Sequence, residues 1–272
     1  MSRIANRFAA LQAKNEKALV AFVTAGDPHP ERTAEAVAAL MDGGADIVEL
    51  GIPFSDPLAD GPTIQASSHR ALLSGMTPPK VLEVVRQVRA SGREAVPLVL
   101  MGAWNPVLQY GLERFAKDAV AAGADGAILT DLSPDEAGEW KRAADAAGFD
   151  TIFLLAPTST AARMALVGKM ASGFVYCVSR TGVTGAQSDV PDELPALIEA
   201  IRGRADGTPV CVGFGVGDPE QVAAISRYAD GVVVGSVLVD LLHRERDNPR
   251  VLSLVQDFVA SLKAATRGAA PL

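Results

Sequence analysis

Residues 43–51 read Gly43-Gly44-Ala45-Asp46-Ile47-Val48-Glu49-Leu50-Gly51. Two glycines stop a helix-like stretch, a polar residue leads in, and a short apolar run follows. Ile47, Val48 and Leu50 show no polar alternation, as in a strand buried on both faces of a parallel sheet. The helix-like stretch before it, 30–43, carries Ala, Val and Leu at helical spacing. Helix, stop and buried strand together make one unit of an α/β fold.

The unit recurs along the chain. Apolar runs occupy 19–24, 46–50, 97–101, 126–130, 151–155, 173–178, 209–213 and 231–234, eight in all. Helix-like stretches fall at 30–43, 78–91, 112–122, 134–147, 160–171, 191–202 and 218–228, with a longer closing helix at 249–266. Several begin near Pro, Ser or Asp and end near Gly, which are helix start and stop signals. Gly123-Ala124-Asp125 and Tyr228-Ala229-Asp230 repeat the Gly44-Ala45-Asp46 phrase before a strand. A helix C-terminal glycine followed by a polar strand entry explains them.

Eight βα units favour an α/β fold of the (β/α)8 TIM-barrel type, with an extra N-terminal helix over 4–12. A doubly wound sheet has fewer strands and a Gly-rich first turn, whereas the first turn here is Thr24-Ala25-Gly26-Asp27-Pro28. No Pro/Ser-rich linker and no composition break interrupts the chain, so residues 1–272 read as a single (β/α)8 barrel domain.

Composition agrees. Apolar residues are 49% and charged residues 21%, which excludes a disordered or fibrous chain. With 25 basic and 32 acidic residues the net charge is −7, so neither nucleic acid nor an anionic membrane is an expected partner. Cys177 and Cys211 sit in apolar runs and read as buried thiols. His29, His69 and His243 are scattered, and no metal site is expected. The first residues lack the apolar core of a signal peptide, and no run reaches ~18 apolar residues, so the expected location is cytoplasmic.

Barrel enzymes work at the C-terminal ends of their strands. Glu49 stands there, after a buried run. A carboxylate in that place is costly unless it is paired or functional, so a structural ion pair and a proton-transfer group are both open readings. Burial would raise its pKa, which suits a group that gives and takes a proton near neutrality. The loop that follows, 51–62, holds three prolines and two more carboxylates, Asp56 and Asp60. Asp-Pro and Asp-Gly turns account for them as well, and for Asp56 that account competes. Glu49 and Asp60 near one barrel mouth could divide acid and base roles.

After the sixth run, Ser179-Arg180-Thr181-Gly182-Val183-Thr184-Gly185-Ala186 has the composition of a mobile lid or a plain flexible loop. The seventh and eighth runs end in Gly213-Phe214-Gly215 and Gly235-Ser236. Glycines there, beside a short helix N-terminus, let backbone N–H groups approach a phosphate; tight turns are the alternative. Phe22, Leu100, Ile128, Tyr176 and Phe214 lie at or near strand ends and are candidates to hold a flat organic group. The residues alone thus describe a barrel enzyme that acts on a phosphorylated, partly apolar substrate by carboxylate acid–base chemistry.

The stretch 48–65, Val48-Glu49-Leu50-Gly51-Ile52-Pro53-Phe54-Ser55-Asp56-Pro57-Leu58-Ala59-Asp60-Gly61-Pro62-Thr63-Ile64-Gln65, closely resembles the tryptophan synthase α-subunit family. Stretches 22–28, 105–106, 156–158, 179–185, 212–215 and 230–236 match as well, and the likeness runs from about residue 5 to 265. The resemblance implies retro-aldol cleavage of indole-3-glycerol phosphate to indole and glyceraldehyde 3-phosphate. It implies that Glu49 shuttles the proton between indole C3 and the glycerol hydroxyl, and that Asp60 stabilises charge at the indole nitrogen. Gly185, Gly215, Gly235 and Ser236 would hold the phosphate, and Thr184, on the lid with Arg180, would close over Asp60. It further implies a β-subunit partner in an α2β2 heterotetramer, with Asp56 near the contact. Pyridoxal phosphate would belong to that partner, with no cofactor in this chain.

Two departures stand out. Ala103-Trp104 replaces a pair of tyrosines common before Asn105-Pro106, and Thr130-Asp131-Leu132-Ser133-Pro134 replaces a Pro-Asp-Leu-Pro-Pro phrase. A stand-alone lyase releasing free indole would use the same residues. A binding module that has lost catalysis would lack Glu49 or Asp60, and a sugar-phosphate epimerase barrel would need a metal or another acid–base pair.

Overall fold

The computed structural model describes residues 2–179, 192–213 and 215–267. Eight parallel strands close a barrel in chain order: β1 (Ala18–Thr24), β2 (Ile47–Gly51), β3 (Leu98–Gly102), β4 (Gly126–Leu129), β5 (Asp150–Leu155), β6 (Val175–Val178), β7 (Val210–Gly213) and β8 (Gly231–Val234), with β8 pairing back onto β1. Every apolar run of the sequence became a strand, within a few residues of its expected ends.

Around the barrel run α1 (Arg3–Ala13), α2 (Thr33–Asp42), α3 (Pro62–Leu73), α4 (Pro78–Ala90), α5 (Trp104–Tyr110), α6 (Leu112–Ala122), α7 (Gly138–Ala147), α8 (Ala161–Met170), α9 (Leu194–Arg202), α10 (Pro219–Ser226), α11 (Ser236–Arg244) and α12 (Val251–Ala265). The stretch 62–73 carries no helix in the sequence reading. The buried positions of α3 are Ser67, Ser68 and Ala71, so it lacks the apolar stripe by which helices are recognised.

Alternation along each strand sorts the core into two layers. Leu19, Ala21, Val48, Leu50, Leu98 and Leu100 point outward to the helices. Val20, Ile47, Val99, Ile128, Ile152, Tyr176, Cys211 and Val233 fill the barrel interior. Ile4, Phe8 and Leu11 of α1 belong to the interior cluster, and the Phe8 ring lies 6.2 Å from that of Phe174. The extra helix is therefore the plug of the N-terminal end.

At that end the repeated Gly-Ala-Asp phrase has a structural meaning. Asp46 donates its N–H to the Leu19 carbonyl, and its carboxylate accepts the Leu19 N–H at 2.8 Å. Asp125 does the same to Leu98, and Asp230 to Val210. Ser172, before β6, completes the set by the same two-point pairing with Thr151. Each even-numbered strand thus enters through a side chain that ends the ladder of the odd-numbered strand before it. The three carboxylates in turn collect cations from the helices. Lys263 of α12 sits 2.9 Å from Asp46, Arg3 of α1 and Arg89 of α4 are 2.6 and 2.8 Å from Asp125, and Arg202 of α9 is 2.9 Å from Asp230.

Candidate active site

The opposite end, where the strands finish, opens into a cavity of about 540 Å3. Phe22 of β1, Glu49 of β2, Met101 of β3, Tyr176 of β6 and Val233 of β8 line it from the barrel. Asp60, Gly61 and Ile64 close it from the loop and first turn of α3, and Gly215, Val216, Gly235 and Ser236 from the ends of β7 and β8. A second cavity of about 440 Å3 shares Phe22, Asp60, Ile64 and Met101 and extends under the 52–60 loop to Asp56, Leu58 and Asp131.

The aromatic walls stand as they do because glycines lie beside them. A Cβ on Gly51 would come within 2.7 Å of the Phe22 ring, and one on Gly213 would run into the Tyr176 hydroxyl. Phe22 and Tyr176 recline against the neighbouring strands and leave the centre open.

Glu49 is wholly buried, and neither carboxyl oxygen has a hydrogen-bond partner among the described residues. An ion pair therefore does not account for it. Burial pushes its pKa up to about 8. Burial also raises Asp60, less deeply set, to about 6. At neutral pH the pair is split: one carboxyl holds its proton and the other has lost it, as a division of acid and base work requires. Burial and the nearby Glu49 also raise the Tyr176 phenol, so it stays protonated.

Gly235 precedes α11, and Ser236 is its first residue. The first N–H groups of a helix have no partner within it and face the cavity end with the positive pole of the helix dipole. Gly215 takes a positive φ of 83°, a conformation that L side chains rarely adopt. These three line the larger cavity, whereas Asp56 lines only the second one.

The sequence candidates divide as follows. Phe22, Tyr176, Glu49, Asp60, Gly215, Gly235 and Ser236 come together in one cavity. Leu100 does not: it belongs to the outward layer, because the pleat turns its neighbours Val99 and Met101 inward. Met101 takes the place expected of Leu100. Ile128 faces inward but is fully buried in the interior cluster below the cavity. Arg180, Thr184, Gly185 and Phe214 lie outside the described residues. Strand parity puts Met101 on the side of Val99 and Val233 on the side opposite Val232, but the all-apolar strands do not mark which side faces inward. Ile64 was missed because α3 has no sequence signature.

A closed (β/α)8 barrel with two carboxylates of raised pKa in a cavity at its strand C-termini, beside a helix N-terminus, has the site of a barrel enzyme. The family model described as tryptophan synthase alpha chain matches residues 8–267. The chain is 52% identical to the tryptophan synthase alpha chain of Geotalea uraniireducens (strain Rf4) over 98% of both chains. It is 56% identical to that of Geobacter sulfurreducens over 90% of this chain and 91% of the relative. Among solved structures, tryptophan synthase of Mycobacterium tuberculosis superimposes with a TM-score of 0.89 at 39% identity over 98% of both chains. The chain belongs to the tryptophan synthase alpha chain family, whose reaction is the lyase cleavage of indole-3-glycerol phosphate.

Proposed function

We propose that Glu49 and Asp60 divide the proton work of this cleavage. Protonated Glu49 donates to indole C3, and the positive charge that appears at the ring nitrogen is met by ionised Asp60. The Glu49 carboxylate then takes the proton of the glycerol hydroxyl. As the aldehyde forms, the pair of the C3–carbon bond returns to the ring, the nitrogen becomes neutral, and Glu49 is again protonated. Indole and glyceraldehyde 3-phosphate leave with no net proton exchanged. Phe22, Tyr176 and Met101 enclose the ring, while Gly215, Gly235 and Ser236 receive the phosphate through backbone N–H groups. The buried, unpartnered carboxyl of Glu49 in the same cavity as Asp60 is the observation that carries this reading.

In this reading indole passes to a β subunit within a cytoplasmic α2β2 heterotetramer. The exposed face of the 52–60 loop suits such a partner: Leu58 is 91% exposed near Asp56. A stand-alone lyase is not favoured, since the relatives named above are tryptophan synthase chains. The test is indole release from indole-3-glycerol phosphate with and without a β subunit. Slow release that rises sharply with the partner is the expected result, and fast release by the chain alone would reverse the choice.

Two further outcomes are expected. The dependence of kcat/KM on pH is a bell, rising as a group near pH 6 ionises and falling as a group near pH 8 loses its proton. A profile flat from pH 5 to 9 would remove the split-carboxylate scheme. Gly235→Asp sets a negative charge at the helix N-terminus where the phosphate is placed, and the KM is expected to rise at least ~10-fold, about 1.4 kcal/mol of lost binding. An unchanged KM would put the phosphate elsewhere.

A further inference from the structure

α3 is not held as its neighbour is. α4 buries Val81, Leu82, Val84, Val85 and Val88, whereas α3 buries only Ser67, Ser68 and Ala71. What ties α3 to the barrel is a series of contacts with the end of β1 and the turn after it. The Ser67 hydroxyl donates to the Ile64 carbonyl and so accepts from the Thr24 hydroxyl 2.6 Å away. A Cβ on Gly26 would lie 3.1 Å from that of Ala71, so the turn backbone rests directly on the helix. Arg70 donates twice to Asp27, at 2.6 and 2.9 Å, and the Asp27 side chain is 2% exposed.

Residues 67, 70 and 71 share one helix face. Apolar surfaces can slide on one another in small steps, because burial is non-directional. A bidentate guanidinium–carboxylate pair and a short hydroxyl bond cannot, because each is directional and fails when its partners shift. The helix so fixed leads straight to Asp60. The Gln65 side chain donates to the Asp60 carbonyl at 2.8 Å, and the Gln65 N–H to the Gly61 carbonyl at 2.9 Å. Ile64, in the same turn, walls the cavity.

We propose that Thr24, Asp27, Ser67 and Arg70 form a register clamp, positioning residues that fix α3 along its axis and thereby set where Asp60 stands over the cavity. The clamp rests on the reading that Asp60 meets the substrate. A displacement near 1 Å at a reacting group can cost as much as ~10²-fold in rate, so a loosened register should be read in turnover before it is read in binding.

The test measures cleavage of indole-3-glycerol phosphate by the full chain with a β subunit. The variants are Thr24→Val/Ser67→Ala, Arg70→Met and Arg70→Lys. The expected result is a fall in kcat of about 10-fold or more with KM held within about threefold. Arg70→Lys keeps the charge without the fork and should recover part of the loss. If Arg70→Met fails to fold with Asp27 left buried, the double variant decides, since removing both hydroxyls leaves no orphan. A kcat within twofold of the parent in the folded variants overturns the clamp, as does a loss that only follows the folded fraction. Asp60→Asn is measured alongside. If it is active, the role of Asp60 fails and takes the clamp with it; if it is inactive while the clamp variants turn over normally, the clamp alone fails.

Discussion

Replacing Glu49 by glutamine is expected to lower turnover by about 10²- to 10⁴-fold, the span of general acid–base groups, with substrate binding largely kept. Glutamine keeps the shape and removes the transferable proton. No other carboxyl among the described cavity residues has its pKa near 8, and Asp60 is ionised at neutral pH in the same reading. Near-normal turnover would end the assignment.

The same variant should be more stable than the parent. Glu49 moves from an ordinary value of 4.5 in the unfolded chain to about 8 in the folded one, so between these pH values the folded state binds the extra proton. The stability associated with that proton is complete below pH 4.5 and is lost as pH rises through 8. A tenfold change in proton affinity between the two states corresponds to about 1.4 kcal/mol. The melting temperatures of the parent and Glu49→Gln should lie close at pH 5, separate in favour of the variant up to pH 8, and run parallel above it. A separation that stays constant from pH 5 to pH 8 would mean that Glu49 is already ionised in the folded protein. In the proposed mechanism the residue thus sets the demands of the chemistry against those of folding.

The second large effect lies at the other end of the barrel. Asp125 is 5% exposed at its side chain and serves Arg3, Arg89 and the Leu98 N–H at once. Asp125→Ala leaves the 10%-exposed Arg89 guanidinium without its counter-charge and a strand N–H without an acceptor. Removing one partner of a buried pair costs about 3–5 kcal/mol. For a chain of this size that is a fall in Tm of roughly 6–20 °C. Denaturant unfolding measures the cost, and indole release at a temperature where the variant is folded should match the parent, because the rim lies opposite the cavity. A loss below about 1 kcal/mol would show that the rim carboxylates are dispensable, and a selective loss of turnover would link the two ends.

The rim also shows how far local reading reaches. The Ala-Asp step, twice after Gly and once after Tyr228, was visible three times because the residue before the strand is local to it. Ser172, which does the same work before β6, was not visible, since nothing near it repeats the phrase. Likewise Glu49 could be singled out because a carboxylate after a buried run is unusual anywhere, and Asp60 because it lies in the long loop that follows. Leu100 was misplaced because a fully buried strand has no polar residue to mark which side faces inward. In an alternating strand that mark would have been present; here both faces are apolar, and only closure of the barrel turned Met101 to the cavity and Leu100 to the helices.

The amino-acid sequence by itself determined eight buried strands joined by helices, the closed barrel they make, and the two carboxylates at its strand C-terminal end to which the proposed mechanism gives the proton work. These rest on composition and spacing within a few residues, where chain geometry leaves little choice. Only the tertiary structure decided that Glu49 has no partner, that glycines on adjacent strands lay the aromatic rings against the wall, and that α3 is held by Thr24 and Asp27 from 43 residues away. Those are contacts between segments distant in the chain, and they exist only after the barrel has closed and brought β1 beside β2 and β8.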